Sequence, residues 1–222
     1  MIEANDILFE DNHLIIINKK AGELVQGDQT GDTPLADKVK AYIKKKYNKP
    51  GDVFLGVTHR IDRPVSGAVI FARTGKALAR INELLKEREI RKIYWAIVKD
   101  VPADLEARLV HYIGKDAMKN RAIIRDKPAK DLKKAELSYR VTGRSDQYTL
   151  LEVELHTGRH HQIRAQLSKI GCPIKGDLKY GFGRSNPDGS IHLHARRLEF
   201  VHPVRKEPVS ITAPAPDEVL WR

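Results

Sequence analysis

Residues 58–73 read THRIDRPVSGAVIFAR. The second half of this stretch, residues 67–72, is a short apolar run of the kind expected of a central strand. The first half places Asp62 between Arg60 and Arg63 in a turn just ahead of that strand. A carboxylate flanked by two cations is expected to stay ionised at neutral pH, which suits a nucleophile or a base. Taken alone, the same pattern also fits an ordinary surface ion pair.

Outward from this stretch the chain alternates short strands with a few helices. Residues 13–18 (HLIIIN) read as a buried strand. Residues 33–47 read as a helix with Pro34 in its first turn and Leu35, Val39, Tyr42 and Ile43 on one face. The helix carries Lys38, Lys40, Lys44, Lys45 and Lys46 elsewhere on its surface. A second helix is expected over 76–88, with Leu78, Ile81, Leu84 and Leu85 at helical spacing. Strands are expected at 90–98, 135–141 and 149–155, and a third helix at 161–170. Residues 114–134 hold eight Lys/Arg and three Asp with little apolar periodicity, and are expected to form a basic, mobile excursion. Many strands with few helices predict an α+β fold, as one domain over 1–222.

Composition narrows the function classes. The chain has 222 residues, 41% hydrophobic and 31% charged, enough apolar mass for a buried core. A single cysteine, Cys172, excludes an internal disulfide and any multi-cysteine metal site. No apolar run reaches the roughly 20 residues of a membrane-spanning helix, and the acidic, mixed N-terminus is not that of a signal peptide. The expected location is the cytoplasm and the expected state a monomer. The net charge of +11 suggests an anionic partner, nucleic acid before membrane, although a solubility charge would look the same.

Two further constellations carry chemistry. Residues 156–164 (HTGRHHQIR) lie where a half-buried strand ends and a helix begins, a junction suited to anions. Arg159, His160, His161 and Arg164 crowd it, and no acidic residue occurs between Glu154 and Asp177 to pair with them. Tyr94, inside KIYWAIV, reads as a core residue by itself, but a tyrosine at a site edge can move a proton or stack on a base. His156, His160, His192 and His194 imitate a zinc set, but Gly158 breaks the helix that the first pair would need. The run ARTGKAL is not a phosphate loop, because Ile70 stands where the first glycine belongs and Ala77 follows Lys76.

The blocks NKKAG (18–22), HRIDRPVSGAVIFAR (59–73), KIYWAIV (92–98), LHTGRHHQIRAQLSKIGCPIKGDLKYG (155–181) and LHARRLEFVHP (193–203) occur in this order. Together they strongly resemble the RluA-type RNA pseudouridine synthases, from about residue 8 to about residue 212. The resemblance implies a long, mixed, mainly antiparallel central sheet with flanking helices and a central catalytic cleft. It implies that Asp62 is the nucleophile, that Tyr94 contacts the target base and helps remove its proton, and that Arg164 pairs with the catalytic carboxylate. Arg60 matches the arginine that fills the gap left by a flipped nucleotide. No cofactor and no metal are implied. The substrate would be ribosomal large-subunit RNA or transfer RNA. Ile163 and Leu193 are candidates for the walls of the uracil pocket. Arg63, Arg159, His161, Lys44 and Lys45 are candidates for RNA contacts.

The chain departs from the family pattern at Lys20, where proline is usual, at Val65, where threonine is usual, and at His160, again in place of threonine. The first change is expected to loosen a turn without touching the chemistry. Many relatives carry an N-terminal S4-like RNA-binding domain, for which a pattern starting near residue 8 leaves no room. RNA grip is therefore expected from the lysine-rich 38–49 region and from 114–134. Two rivals stand beside the enzyme reading: a non-catalytic RNA-binding module, and a metal-dependent hydrolase built on the four histidines.

Overall fold

Leu14–Lys19 and Ser66–Ala72 are dense in Ile, Val and Ala and pair with each other, and all but one of their residues are buried, so the two strands are covered on both faces of the sheet. They form the middle of an α+β fold in a computed structural model that describes residues 2–221. In chain order the elements are β1 (Ile7–Glu10), β2 (Leu14–Lys19), α1 (Leu35–Lys46), β3 (Gly56–Val57), β4 (Ser66–Ala72) and α2 (Gly75–Glu87). Then come β5 (Arg91–Val98), β6 (Glu106–Asp116), β7 (Arg121–Arg125), β8 (Lys133–Arg144), β9 (Thr149–Leu155) and α3 (Gln162–Lys169). The last are β10 (Leu193–Val201) and β11 (Pro208–Thr212). They divide into two compact units, one formed by residues up to Ile90 together with Ala195–Trp221, the other by Arg91–His194.

In the first unit β1, β2 and β4 form an antiparallel run, β3 pairs the end of β4, and β10 lies beside β4 and pairs β11. Leu14, Ile16, Ile70, Ile81, Leu198 and Phe200 share one buried cluster, so the two ends of the chain build one core. Gly67 is indispensable to this arrangement. It has φ +117°, and a Cβ there would lie 2.4 Å from the Ala195 carbonyl oxygen, so only glycine lets β10 approach. α2 starts at Thr74, whose hydroxyl accepts the Ala77 N–H, and stops at Arg88 in the left-handed region.

Two hairpin turns of this unit are stapled together by a buried histidine. Asp11 Oδ1 accepts the N–H groups of His13 and Leu14, both at 2.8 Å. Its Oδ2 lies 3.1 Å from His202 Nε2. His202 Nδ1 accepts the N–H groups of Val204 and Arg205, which leaves the proton on Nε2, facing Asp11. Burial lowers the His202 pKa, opposed by Asp11. Burial raises that of Asp11, but the two backbone N–H groups, His202 and Arg205 bring it below its usual value. For both groups the unfolded chain binds more protons, so stability falls as pH drops, first through the unfolded histidine range and then through the carboxylate range. Urea melts at pH 7.5 and 5 should show this loss, and His202→Asn should flatten its upper part. The same variant should cost about 1–3 kcal/mol at pH 7.5 through loss of the imidazole's 3.1 Å approach to Asp11. A pH dependence identical to the parent's would contradict the assignment.

The second unit is an antiparallel run in the order β5, β9, β8, β6, β7. It corrects the reading of 114–134 as a mobile excursion. β6 and β7 form a hairpin paired from Tyr112–Arg125 to Asp116–Arg121, and β8 starts at Lys133. Ala122 and Ile113 face a small core with Ala135, Ala165 and Tyr180, and Ile124 packs against it. The five-residue strand carries arginine at both ends and has only two inward positions, too few to register as a period.

The helices lie close to their expected places. α1 begins after Pro34, which acts as its N-cap, and β9 spans the expected residues. Among the described residues no helix is long and apolar enough to cross a membrane.

Candidate active site

The Asp62 loop begins where β3 stops. Thr58 Oγ1 donates to the Ile70 carbonyl at 2.7 Å, and His59 Nε2 accepts the Ile70 N–H at 3.1 Å. Two side chains thus replace the sheet ladder and let the backbone lift away before Arg60. The loop closes through Val65 N–H donating to Asp62 O at 3.0 Å. Arg60 and Arg63 are exposed and Asp62 is half-buried.

The turn after β2 holds this loop from beside it. Gly22 N–H donates to the Arg63 carbonyl at 2.8 Å, and Arg63 Nε returns a bond to the Gly22 carbonyl at 3.0 Å. A further Arg63 nitrogen pairs with Asp32 at 2.7 Å. Gly22 has φ +88°, which makes that turn possible. Beneath it lies Lys19, 1% exposed, whose Nζ donates to the carbonyls of Lys20 (2.9 Å), Glu23 (2.8 Å) and Arg63 (3.1 Å). Burial lowers the Lys19 pKa to about 8, with Glu23 and Asp62 pulling it up and Arg63 pushing it down.

Lys20 replaces the usual proline without leaving a loose end. It supplies an N–H that proline lacks, and Glu23 Oε2 accepts it at 3.2 Å. Glu23 Oε1 in turn pairs with Lys38 of α1 at 2.7 Å. The turn that was expected to loosen is therefore tied by a carboxylate.

In the second unit Tyr94 sits on β5 opposite Val153 of β9 and is 8% exposed. Two residues earlier on the same face is Lys92, whose pKa is lowered by burial and whose ammonium lies 3.8 Å from the point where a side chain at Gly158 would begin. The 156–164 junction is organised by Gln162. Its Oε1 accepts the Thr157 hydroxyl (2.7 Å) and the Arg159 N–H (3.0 Å), and its Nε2 donates to the Glu136 carbonyl (3.1 Å). His161 precedes α3 in the left-handed region, φ +50°. Its ring stacks on His160 at 3.8 Å, and its Nδ1 is hydrogen-bonded to the Tyr180 hydroxyl at 2.9 Å. Arg159 donates from Nε to the Lys134 carbonyl at 3.0 Å.

Arg164 is buried and forms a two-pronged bond with Asp177, Nε to Oδ2 at 2.7 Å and Nη2 to Oδ1 at 2.8 Å. Its guanidinium also lies over the Tyr180 ring, 5.0 Å from the centroid. Sequence reading held that nothing nearby pairs with these cations. The first acid beyond the gap, thirteen residues on, does pair with one of them.

Ile163 and Leu193 are both buried at 4% exposure. Lys44 and Lys45 are exposed in the last turn of α1. The other lysines of that helix face acids: Lys38 with Glu23, Lys40 with Asp37 and Lys46 with Glu10. His156 is bonded to the Ser138 hydroxyl at 2.9 Å and His192 Nδ1 to Asn186 at 3.0 Å. Among the described residues no three His, Cys, Asp or Glu are grouped to hold a metal. Sequence reading missed Lys19, Lys92, Asp177 and Tyr180. All four lie inside the quoted blocks, and a charged residue embedded in an apolar run, as Lys19 is after LIIIN, was the available signal.

Comparisons with known proteins agree with one another. A family model described as RNA pseudouridylate synthase matches residues 13–169. An uncharacterised RNA pseudouridine synthase of Synechocystis is 34% identical over 218 residues, covering 95% of this chain and 65% of the relative. Ribosomal large subunit pseudouridine synthase D of Xanthomonas campestris is 32% identical over 236 residues, covering 96% and 67%. The chain thus spans about two thirds of the length of these relatives. Among solved structures, human RNA pseudouridylate synthase domain containing 4 superposes with a TM-score of 0.79 at 24% identity, covering 95% of this chain and 88% of that one. This likeness shows a shared fold.

Proposed function

The chain belongs to the RNA pseudouridylate synthase family, and from that membership we propose that it converts specific uridines in structured RNA to pseudouridine. Pseudouridine synthases are isomerases. The N1–C1′ bond of uridine breaks, the uracil turns, and C5 bonds to C1′; the C5 proton is released and N1 takes up a proton, so that the product is an isomer of uridine. Asp62 acts as nucleophile, Tyr94 relays the C5 proton, and Arg60 enters the space vacated when the nucleotide is extruded. Ile163 and Leu193 wall the detached uracil. The reaction draws on no cofactor. The substrate is ribosomal large-subunit RNA, the molecule in the names of several relatives, with transfer RNA as the second possibility to assay.

One observation carries this reading. The backbone from Asp62 onward is clamped, by Lys19 and Gly22 at Arg63 and by the turn from Asp62 to Val65, while Asp62 itself is only half-buried. A group held rigidly but left accessible is poised to react. Tritium release from RNA labelled at uridine C5 tests it directly, and mapping pseudouridine in a deletion strain against its parent identifies the RNA. No release from any cellular RNA would favour the non-catalytic reading.

RNA grip falls to the free lysines at the end of α1, to the β6–β7 hairpin with exposed Lys115, Lys119, Arg121 and Arg125, and to Arg63, Arg159 and His161 near the loops. Replacing both Lys44 and Lys45 by alanine should weaken binding on all RNA sequences alike. It should also reduce the slope of log affinity against log salt by about 1 to 2. Lys40→Ala, which removes a cation already facing Asp37, should leave that slope unchanged. Equal slopes for all three proteins would remove α1 from the interface.

A further inference from the structure

We infer that Tyr47, at the end of α1, is a stacking platform for an unpaired base of the bound RNA, set among lysines that meet the flanking phosphates. The inference rests on the proposed action on RNA and adds a contact outside the Asp62 loop.

A single exposed aromatic is ordinary on a protein surface. Tyr47 differs in how firmly it is held. Its backbone closes α1: Asn48 takes the left-handed region, φ +47°, and the Lys49 N–H returns to the Lys44 carbonyl at 3.0 Å. Its hydroxyl donates to Glu10 Oε1 at 2.8 Å. The Arg73 guanidinium lies 4.6 Å from the ring centroid and the Lys46 ammonium 5.5 Å from it. The ring is thus fixed from its backbone, its hydroxyl and its π system, yet Tyr47 is 41% exposed. A flat apolar surface that is already immobile loses little entropy when a second ring covers it.

The charge around the ring selects the partner. Glu10 is the acid that meets this cluster, and its two oxygens are shared by four donors. Tyr47 and Arg73 (3.3 Å) reach Oε1, while Tyr42 (3.0 Å) and Lys46 (2.7 Å) reach Oε2. Burial raises the Glu10 pKa, but the bonds from Lys46, Tyr47 and Tyr42 more than offset this and keep it charged. Four donors fill the acceptor capacity of a carboxylate. Lys44, Lys45 and Lys49 stand exposed outside this network. An open ring beside three such cations matches a nucleotide chain, in which anionic phosphates flank a π surface. A base inside a duplex is already stacked on both faces, so the occupant is an unpaired base in a loop or bulge.

The test has two arms. In the first, a short single-stranded RNA is compared with a duplex of the same length. Tyr47→Ala should bind the single strand at least about fivefold more weakly than the parent, the loss of one base stacked on one ring, and the duplex equally well. The slope of log affinity against log salt should stay at the parent's value, because a neutral ring releases no counterions. Replacing Lys44 and Lys45 moves that slope, so the two contributions separate. Tyr47→Phe, which keeps the ring and loses the bond to Glu10, should retain most of the affinity. Parent-like binding of the single strand by Tyr47→Ala, or an equal loss on the duplex, overturns the inference. Polyglutamate has the charge without the bases and should bind the parent and Tyr47→Ala alike. A loss as large as that on RNA would assign the ring to an acidic protein segment and overturn the inference as well.

The second arm needs no variant. A single strand carrying 5-iodouridine is photo-cross-linked to the parent protein and the labelled peptides are identified by mass spectrometry. A cross-link at Tyr47 is expected, and its absence overturns the inference, whatever else the strand labels. If Tyr47 is labelled but the protein forms no pseudouridine, the contact stands and the isomerase reading fails. If pseudouridine forms and Tyr47 proves idle, the isomerase reading stands and this inference fails.

Discussion

Asp62→Ala should release no tritium above background from uridine-labelled RNA while binding the same RNA with an affinity close to the parent's. Asp62 is half-buried, and its loop is held by backbone groups of Gly22, Arg63 and Val65 and by Lys19. Its removal should therefore leave the fold standing, apart from the charge it lends to Lys19. Asp62→Asn sharpens the test. It preserves the shape and one acceptor oxygen but cannot act as an anionic nucleophile, so it too should be inactive. Turnover by either purified variant at more than about 1% of the parent's rate, a barrier difference of about 2.7 kcal/mol, would remove Asp62 from the centre of the mechanism.

The largest loss of stability should follow from Asp177→Ala. Arg164 and Asp177 have side chains 6% and 1% exposed and meet through two hydrogen bonds, so removing the carboxylate strands a buried guanidinium. Breaking a buried pair from one side costs about 3–5 kcal/mol. Denaturant melts should show a drop of that size, and activity should fall with it, because Arg164 loses its orientation. The double variant Arg164→Met, Asp177→Leu separates the two effects. It removes both charges together and should recover most of the stability without recovering activity. Recovery of both would mean that the pair serves only to hold the second unit together.

What could be read in the sequence follows from how each residue earns its place. Apolar runs report burial, so β2, β4, β5 and β9 and all three helices were visible before any coordinates. The family resemblance carried by the ordered blocks pointed to Asp62, Tyr94 and Arg164, because each lies inside a contiguous block. The partners were harder. Lys19 meets Arg63 forty-four residues away, Arg164 meets Asp177 thirteen residues on, and His161 reaches Tyr180 nineteen residues on. No period connects such pairs, and a buried cation looks like a surface one until its acceptors are seen. The β6–β7 hairpin escaped for a different reason: its lysines and arginines cover the outside of a ladder with too few inward residues to betray it.

The first unit is sewn together from both ends of the chain, while the second is continuous. During vectorial synthesis on the ribosome this imposes an order. β5 to α3 can leave the exit tunnel with the partners they have inside their own unit already made, whereas β4, the strand that leads out of the Asp62 loop, must wait for β10 to arrive beside it. Until residues beyond Ala195 emerge, Leu14, Ile16 and Ile70 lack Leu198 and Phe200. Asp62, the proposed nucleophile, is thus carried on the segment that matures last, and a chain stalled before residue 195 would present a well-folded middle joined to an unfinished, aggregation-prone edge.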